Sequence, residues 1–300
     1  MAGTTHNDGA SVPQPAPPSA AQRSGQPLAP GLYVVATPIG NLRDITLRAL
    51  DVLGTADRVL AEDTRRTGRL LTAHGIKAEM MSYHDHNAAA RVPQVLDGLR
   101  AGEAIALVSD AGTPLVSDPG YALVRAAREA DLPVYPVPGA SAAVAALSVA
   151  GLPSDRFTFA GFLPPRTAAR RKALAELAAA PGTLILYETG PRLAPMLSDA
   201  SEVLGARDAA IARELTKIWE EVRRGPLARL AGELAQGPPP KGEIVVVIGP
   251  GQTATWDAAA VDTALTQRAH LHAKDAAREV AALSGWSRRD VYQRLQGRGM

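Results

Sequence analysis

The strongest candidate for a chemical site in this sequence is the segment AIALVSDAGTPLVSDPG, residues 104–120. In it, an apolar run typical of a buried strand ends at Asp110 and opens into Ala-Gly-Thr-Pro. An acidic group at the carboxyl end of a parallel strand, followed by exposed backbone N–H groups, suits a ligand that carries hydroxyl or ammonium donors and a carboxylate. S-adenosylmethionine carries all of these groups. The alternative is that Gly112 and Pro114 only shape a turn.

Two other short segments have the same form of a strand followed by a turn. They are Thr37-Pro38-Ile39-Gly40-Asn41 and Pro138-Gly139-Ala140-Ser141-Ala142. Ser141 can donate or accept a hydrogen bond at the start of a helix, which also fits a plain helix cap. The sequence contains neither the GxGxxG dinucleotide motif nor a P-loop lysine motif, which argues against nicotinamide chemistry and nucleotide hydrolysis.

Charged and polar residues crowd after three further strand-like segments, the position at which α/β enzymes keep working residues. These runs are AEDTRRT at 61–67, SYHDHN at 82–87 and ARELTKIWEE at 212–221. His84 and His86 would lie on one side of an extended segment, but no third ligand lies nearby in sequence, so we expect no metal site. For Glu214 and Lys217 the alternative is a surface ion pair.

Composition and charge set limits on the class of protein. The chain has 300 residues, of which 46% are hydrophobic, and it contains no cysteine, which removes disulfides and cysteine nucleophiles. No apolar run is long enough for a membrane span and no signal peptide precedes the fold, so we expect a cytoplasmic protein. The formal net charge of +2 means that binding to nucleic acid would depend on local basic patches.

The order of predicted elements indicates the fold class that must position these residues. From Gly31 onward, apolar β-branched runs alternate with helical stretches, the rhythm of βαβ units with a parallel core and right-handed crossovers. A second series of strands follows, in FTFAGFL, TLILYET, AAIAREL and GEIVVVIG. The fold class is therefore α/β, with two α/β lobes and a small helical extension.

We predict four segments along the chain. Residues 1–30 are rich in Pro, Ala, Ser and Gly and are predicted to be a disordered tail. Residues 31–138 form the N-terminal α/β lobe and residues 139–251 the C-terminal lobe. Residues 252–300 form a helical extension, in which KDAAREVAALSGWSRRDVYQRLQ has the outline of a helix-turn-helix.

Several long motifs, in order, resemble those of the tetrapyrrole-methylase-like methyltransferases. They are LYVVATPIGNLRDITLRAL, AEDTRRTGRLL, HDHN, LVSDAGTPLVSDPG, GLPSDRFTFAGFLP, ARELTKIWE and KGEIVVVIG, spread over residues 31–300. Within that family the chain is most similar to the branch that methylates the 2′-hydroxyl of a cytidine in the decoding region of 16S ribosomal RNA. The vitamin-making members typically have a GDP-type loop where this chain has SDAGTP, and they lack the HDHN and ELTK segments.

The resemblance implies a cofactor, partners and site residues. It implies S-adenosylmethionine bound in a cleft between the lobes, a homodimer, no metal, and 16S rRNA within the small ribosomal subunit as substrate. The cofactor contacts that it implies are Pro38, Gly40, Asp110, Gly112, Thr113, Ser141, Ala142, Tyr187, Leu215 and Gly242. The basic residues that could contact RNA phosphates are Arg65, Arg66, Arg69, Arg288 and Arg289, together with Arg294 and Arg298.

Transfer of a methyl group from a sulfonium is an in-line displacement, so alignment of the two substrates is the main task. A ribose hydroxyl is a weak nucleophile, so a positioned base or a lysine that stabilises the alkoxide should help. The candidates are Glu62, Asp63, His84, His86, Glu214 and Lys217. The alternative is that these residues grip rRNA phosphates and orient strands.

Two other functions remain open at this stage. One is C-methylation of a tetrapyrrole by an enzyme of the same fold, which would show a coloured macrocycle in the cleft and no need for RNA. The other is a non-enzymatic nucleic-acid-binding protein centred on the helix-turn-helix, in which case residues 255–300 would bind alone and S-adenosylmethionine would have no effect.

Overall fold

The computed structural model describes residues 27–251 and 256–297. The predictions for residues 1–26, for the boundary at 252–255 and for Arg298 lie outside this range. The chain divides into two compact units, Met1–Ser141 and Ala142–Met300, which we call the N-terminal and the C-terminal unit.

The N-terminal unit is built on a parallel sheet. Its strands are β1 (Gly31–Val35), β2 (Arg58–Ala61), β3 (Met80–Ser82), β4 (Ala104–Val108) and β5 (Val134–Val137), in the order β3-β2-β4-β1-β5. Gly31 pairs with Ala104, and Leu32 pairs with Val134 on the other side. Because all of these pairs are parallel, the carboxyl ends of the strands share one edge of the sheet.

Helices cover both faces of this sheet. They are α1 (Leu47–Thr55), α2 (Thr64–Ala73), α3 (Ala88–Arg100) and α4 (Tyr121–Glu129). Leu53 and Leu71 pack on the face that carries Val35, whereas Leu99 and Leu123 pack on the opposite face. Strands that are buried on both faces have continuous apolar sequences such as AIALV. This pattern makes them easy to predict from the sequence.

The unit begins slightly before the predicted start at Gly31. Leu28 packs against the cluster that contains Val35, and the hydroxyl of Tyr33 donates a hydrogen bond of 2.8 Å to the carbonyl of Ala29. These contacts tie down residues that we assigned to the tail.

The C-terminal unit contains a mixed sheet. Its strands are β6 (Phe157–Phe162), β7 (Thr183–Thr189), β8 (Asp208–Arg213), β9 (Glu221–Pro226) and β10 (Glu243–Ile248), in the order β6-β7-β10-β8-β9. β6 and β7 are parallel, whereas the pairs of β10 with β7, of β10 with β8 and of β8 with β9 are antiparallel. The helices around it are α5 (Ala142–Ala150), α6 (Thr167–Ala178), α7 (Gly190–Leu204) and α8 (Leu227–Ala235).

β9 is absent from the sequence prediction. Its residues, EVRRGP, are charged at three of six positions and show no apolar alternation. The strand pairs only with β8 and lies at the edge of the sheet, where little of its side-chain surface is buried.

The helical extension consists of α9 (Ala258–Gln267), α10 (Ala273–Ser284) and α11 (Arg288–Gly297). α10 ends at Gly285, whose φ of 70° is left-handed, and the hydroxyl of Ser287 accepts from the backbone N–H of Asp290 at the start of α11. The predicted pair of helices about a Ser-Gly turn is thus present. No helix in the described ranges is long and apolar enough to cross a bilayer.

Candidate active site

Acidic side chains gather at the carboxyl edge of the parallel sheet. Ala61, which ends β2, lies opposite Val108, which ends β4, so Glu62 and Asp110 follow neighbouring strand ends. The backbone N–H of Asp63 donates a hydrogen bond of 3.0 Å to Oδ1 of Asp110. We call Glu62, Asp110 and Asp118 the acidic edge.

Two of these carboxyl groups hold their protons more tightly than usual. Burial, followed by the charge of Asp110, raises the pKa of Glu62. Its Oε2 is buried and has no hydrogen-bond partner among the residues that the structure describes. Burial also raises the pKa of Asp118 to about 6, although the hydroxyl of Ser109 bonds to it. A carboxyl with a raised pKa at a strand end is typical of a functional site.

Asp118 is a residue that the sequence analysis missed. A signal for it was available, because the dipeptide Ser-Asp occurs twice in this segment, at 109–110 and again at 117–118. Only the first was singled out, since only the first directly follows a strand. The φ of 67° at Ser117 shows the turn that carries Asp118 back towards Ser109.

Asp63 has a different environment from Glu62. It caps α2 by accepting from the backbone N–H of Arg65 at 2.8 Å, and its other oxygen pairs with the Arg65 guanidinium at 2.8 Å. These bonds hold its pKa well below the ordinary range. Arg66 lies 3.3 Å from Asp110. Arg69 is exposed and has no ion pair within the described part of the chain.

His84 and His86 lie in a turn before α3 rather than in an extended segment, so the predicted geometry was wrong. Their rings nevertheless meet edge to face, with centroids 5.9 Å apart. Nε2 of His84 lies 3.3 Å from Nδ2 of Asn87, and its buried Nδ1 has no described partner. Within residues 27–251 and 256–297, no three His, Cys, Asp or Glu side chains are grouped to hold a metal ion.

The three predicted glycine loops of the N-terminal unit come together. Thr37 and Gly112 form an antiparallel bridge, with hydrogen bonds of 2.8 and 3.0 Å in the two directions. The hydroxyl of Thr113 donates to the carbonyl of Ala140 at 3.1 Å. Gly112 has a φ of 80°, and a Cβ there would lie 3.4 Å from Ile39. The loops that carry Pro38, Gly40, Asp110 and Ser141 are therefore neighbours.

Two of the predicted residues of the C-terminal unit lie on β7 and at the start of α5. Tyr187 on β7 is opposite Val245 on β10, and its ring packs edge to face on Phe159 at 4.9 Å and on Phe162 at 5.6 Å. Ala142 is the first residue of α5. Tyr187 therefore forms part of an aromatic cluster beside the edge strand β6.

A second polar group occupies the loop Glu214–Glu220, between β8 and β9. Nζ of Lys217 bonds to Oε1 of Glu214 and to Oε2 of Glu243, both at 2.8 Å, and we call these three residues the ion-pair network. The bond from Lys217 lowers the pKa of Glu214. Burial lowers the pKa of Lys217, but its bonds to Glu214 and Glu243 outweigh this effect and raise it overall.

Leu215 and Gly242 adjoin the ion-pair network. Leu215 is buried and anchors the loop. Gly242 has a φ of 99°, and a Cβ there would collide with the carboxylate of Glu214. Gly242, one of the predicted contacts of the C-terminal unit, therefore lies so close to Glu214 that the position requires glycine.

The helical extension presents its arginines in two ways. Arg288 and Arg289 are exposed in the first turn of α11, with no ion pair among the described residues. Arg294 instead pairs with Asp262 at 2.6 Å and stacks over Trp286. Arg294 therefore has partners within the helical extension, and it would have to exchange Asp262 to make the predicted contact with a phosphate.

Two family models match this chain. The family model described as Tetrapyrrole (Corrin/Porphyrin) Methylases matches residues 31–231. The model described as RsmI C-terminal HTH domain matches residues 255–298. A structure of uroporphyrin-III C-methyl transferase from Thermus thermophilus, complexed with S-adenyl homocysteine, is 20% identical with a TM-score of 0.52. The match covers 97% of that structure but 73% of this chain, so part of this chain lies outside the shared fold.

Curated relatives are much more similar in sequence. Ribosomal RNA small subunit methyltransferase I of Mesorhizobium japonicum is 49% identical over 90% of this chain and 92% of the relative. The protein of the same name from Escherichia coli O157:H7 is 47% identical over 87% of this chain and 93% of the relative.

The fold and the methylase match define the class, a methyltransferase of the tetrapyrrole methylase type. Within that class, the chain belongs to the ribosomal RNA small subunit methyltransferase I family. The interpretation as a non-enzymatic nucleic-acid-binding protein is therefore wrong.

Proposed function

We propose that this protein transfers a methyl group from S-adenosylmethionine to the 2′-hydroxyl of a cytidine in the decoding region of 16S rRNA. The observation that carries the proposal is the near full-length similarity to relatives named for small-subunit rRNA methylation. The helical extension supports an RNA substrate, because it lies beyond the residues that match the methylase family and itself matches the RsmI C-terminal HTH domain.

The residues at the acidic edge fit S-adenosylmethionine. The unpartnered Oε2 of Glu62 and the carboxylate of Asp110 suit a ligand that carries ammonium and sulfonium charges. The joined loops would hold it through Pro38, Gly40, Asp110, Gly112, Thr113 and Ser141. In the C-terminal unit, Ala142, Tyr187, Leu215 and Gly242 are the proposed contacts. The chemistry that the cofactor supplies is an electrophilic methyl carbon on a sulfonium sulfur.

Among the candidate bases, Glu62 has the environment that proton transfer needs. Burial raises its pKa above the ordinary value, which makes its carboxylate a stronger base than an exposed one, and one of its oxygens has no described partner. A base works best when its pKa lies near the working pH. We propose that Glu62 accepts the proton of the ribose hydroxyl as the bond between O2′ and the methyl carbon forms and the carbon–sulfur bond breaks.

The remaining candidates fit other roles. Asp63 is capped and ion-paired, and its lowered pKa makes it a poor base. Glu214 has a lowered pKa and Lys217 a raised one, so both keep their charges at neutral pH and fit a role in shaping the loop. The turn that carries His84 and His86 adjoins β3, and Asp85 within it contributes to the raised pKa of Glu62.

RNA contacts follow from the exposed arginines. Arg69, Arg288 and Arg289 are exposed and carry no described ion pair, so we propose them as phosphate contacts. Arg65 and Arg66 are paired with carboxylates and would have to exchange those partners to bind RNA. We further propose that the protein acts in the cytoplasm as a homodimer on the small ribosomal subunit.

The test is to incubate the protein with radiolabelled S-adenosylmethionine and small subunits that lack the modification, and then to map the label by nuclease digestion and mass spectrometry. We expect label on the ribose of one cytidine. Glu62→Gln should abolish labelling while leaving S-adenosylhomocysteine affinity measurable, and Glu129→Gln, which changes an exposed carboxylate on α4, is the matched control.

Label on the nucleobase rather than on the ribose would contradict the 2′-hydroxyl as the methyl acceptor. Label on a tetrapyrrole and none on RNA would replace the proposal with C-methylation of a macrocycle. Full activity of Glu62→Gln would leave the function intact and overturn the assignment of the base.

A further inference from the structure

Trp219 is the feature of the C-terminal unit that neither the methylase fold nor the proposed cofactor contacts explain. Its side chain lies at the tip of the loop Glu214–Glu220 and is 71% exposed. No aromatic or cation–π contact to its ring occurs among the described residues, whereas Trp286 lies under Arg294 and donates a hydrogen bond to the carbonyl of Trp256. An exposed indole costs solvation free energy that burial elsewhere would avoid.

The backbone that carries Trp219 is ordered by hydrogen bonds within the loop and to β10. Lys217 bonds to Glu214, the first residue of the loop, and to Glu243 on β10, and Oε2 of Glu220 accepts from the backbone N–H of Thr216 at 2.6 Å. Glu214 and Thr216 have φ values of 51° and 66°, so the chain turns sharply. An ordered backbone reduces the entropy that the loop loses when it binds a ligand.

The loop also lies at the sheet end that carries proposed cofactor contacts. The backbone N–H of Glu214 donates to the carbonyl of Glu243 at 2.9 Å, and Glu243 is paired with Thr189, two residues beyond Tyr187. Leu215 belongs to the loop itself.

A second copy of the chain is the competing occupant, and the size of the surface argues against it. A tryptophan offers on the order of 200 Å², whereas a standard interface buries about 800 Å² on each partner. Ile218, which is 88% exposed, precedes the ring, and charged residues follow it at Glu220 and Glu221. Interface cores are depleted in such charges. A small exposed patch beside charges instead fits one unstacked base, which needs only a π-face.

We propose that Trp219 is a stacking platform for an unpaired base of the substrate RNA. The proposal rests on the proposed function. The ring contributes to RNA affinity and to the specificity for an unstacked strand, and it takes no part in proton transfer.

Three variants test the role of the ring. Trp219→Phe keeps an aromatic face, Trp219→Leu keeps an apolar side chain without one, and Ile218→Ala changes a neighbour that is 88% exposed. We expect Trp219→Leu to raise KM for small subunits about 10-fold, since stacking on one base is worth about that factor. Trp219→Phe should lose about 3-fold or less, Ile218→Ala should match wild type, and kcat and S-adenosylhomocysteine affinity should be unchanged throughout.

RNA binding itself, measured by anisotropy of a labelled single-stranded oligonucleotide, separates this proposal from the proposed function. If the wild type binds RNA without methylating it, the proposed function fails, and the ratio between Trp219→Leu and Trp219→Phe still decides the stacking role. Equal affinities for these two variants overturn it. A shift from dimer to monomer in Trp219→Leu and Ile218→Ala alike, seen by light scattering, would assign the surface to a second copy.

Discussion

The acidic edge and the ion-pair network both place charged groups at the end of a sheet. The carboxyl groups of the acidic edge mainly face one another, whereas those of the ion-pair network face a lysine. At the acidic edge three carboxyl groups face one another with one arginine, Arg66, and two of them have raised pKa values. In the ion-pair network, Lys217 lies between two carboxylates at 2.8 Å, and the pKa of Glu214 is lowered.

This difference shows which region has unused binding capacity. The acidic edge keeps a buried carboxylate oxygen without a described partner, so a cationic ligand would lower its free energy. The ion-pair network satisfies its own charges and fixes the shape of a loop. Charged residues in a methylase site can therefore serve binding or shape, and their pKa values tell the two roles apart.

The largest effect should come from Asp110→Asn. This change keeps the acceptor for the backbone N–H of Asp63 and removes the charge that faces Arg66. Because a hydrogen bond to a charged group is worth about 1.5–3 kcal/mol, we expect S-adenosylhomocysteine affinity, measured by calorimetry, to fall about 10- to 100-fold. The control is Asp97→Asn, an exposed ion-paired carboxylate on α3. Unchanged affinity in Asp110→Asn would remove Asp110 from the cofactor site.

The next effect concerns the glycine beside the ion-pair network. Gly242→Ala places a Cβ against Glu214 at a φ of 99°, so we expect thermal unfolding to show a loss of about 1–3 kcal/mol. Gly232→Ala is the matched control, because Gly232 lies within α8 with nothing within 4 Å of an added Cβ. That control should stabilise the protein by about 0.5–1 kcal/mol. Equal unfolding temperatures for Gly242→Ala and Gly232→Ala would show that Glu214 can move away from the added Cβ without loss of stability.

The acidic edge and the ion-pair network should differ most clearly in how their contribution to stability depends on pH. The folded state raises the pKa of Asp118 to about 6, so between its ordinary value near 4 and about 6 the folded protein binds more protons than the unfolded chain. Stability contributed by this group is therefore present at low pH and is lost as pH rises through about 6.

Asp118→Asn removes this dependence. We expect the variant to unfold about 2–4 °C higher than wild type at pH 7.5, corresponding to about 1 kcal/mol. The gain should shrink at pH 4.5, where the wild-type carboxyl is protonated. Differential scanning fluorimetry at the two pH values measures both. A gain of the same size at pH 4.5 would mean that packing, rather than charge, limits the wild type.

The smallest effects are expected within the ion-pair network. Glu214 is 17% exposed and Glu243 is 68% exposed, so Glu214→Gln should cost about 1 kcal/mol and Glu243→Gln less than about 0.5 kcal/mol. Because the pKa of Glu214 is lowered, its contribution is present above pH 5 and is lost as pH falls below its ordinary pKa. Chemical denaturation at pH 7 and pH 3.5 gives the comparison. Equal losses for both variants would show that burial does not set the strength of these bonds.

The sequence predicts the buried strands and the glycine loops well, because each of these has a local cause. AIALV and TLILY are short apolar runs typical of buried strands, and both are strands in the structure. Gly112 was singled out from its place after a strand, and its φ of 80° gives the physical reason for glycine.

What the sequence misses depends on tertiary contacts. β9 has no apolar pattern and is a strand only because β8 lies beside it. The raised pKa of Asp118 results from burial and from Glu62, more than fifty positions earlier in the sequence. The pairing of Arg294 with Asp262 likewise joins α11 to α9, which no local pattern indicates. The candidate bases, from Glu62 to Lys217, were singled out by their place after strands, but their roles depend on these tertiary contacts.

The strand order of the parallel sheet also has a consequence for the nascent chain. β1 pairs with β4 through Gly31 and Ala104, and with β5 through Leu32 and Val134, and not with β2. β1 therefore has no strand partner until β4 has been synthesised, and one of its edges stays unpaired until β5 follows. Strand partners this distant slow folding and leave apolar edges exposed to aggregation. We expect truncation after Val108 to leave β1 with an unprotected edge, a substrate for chaperones rather than a stable half-domain.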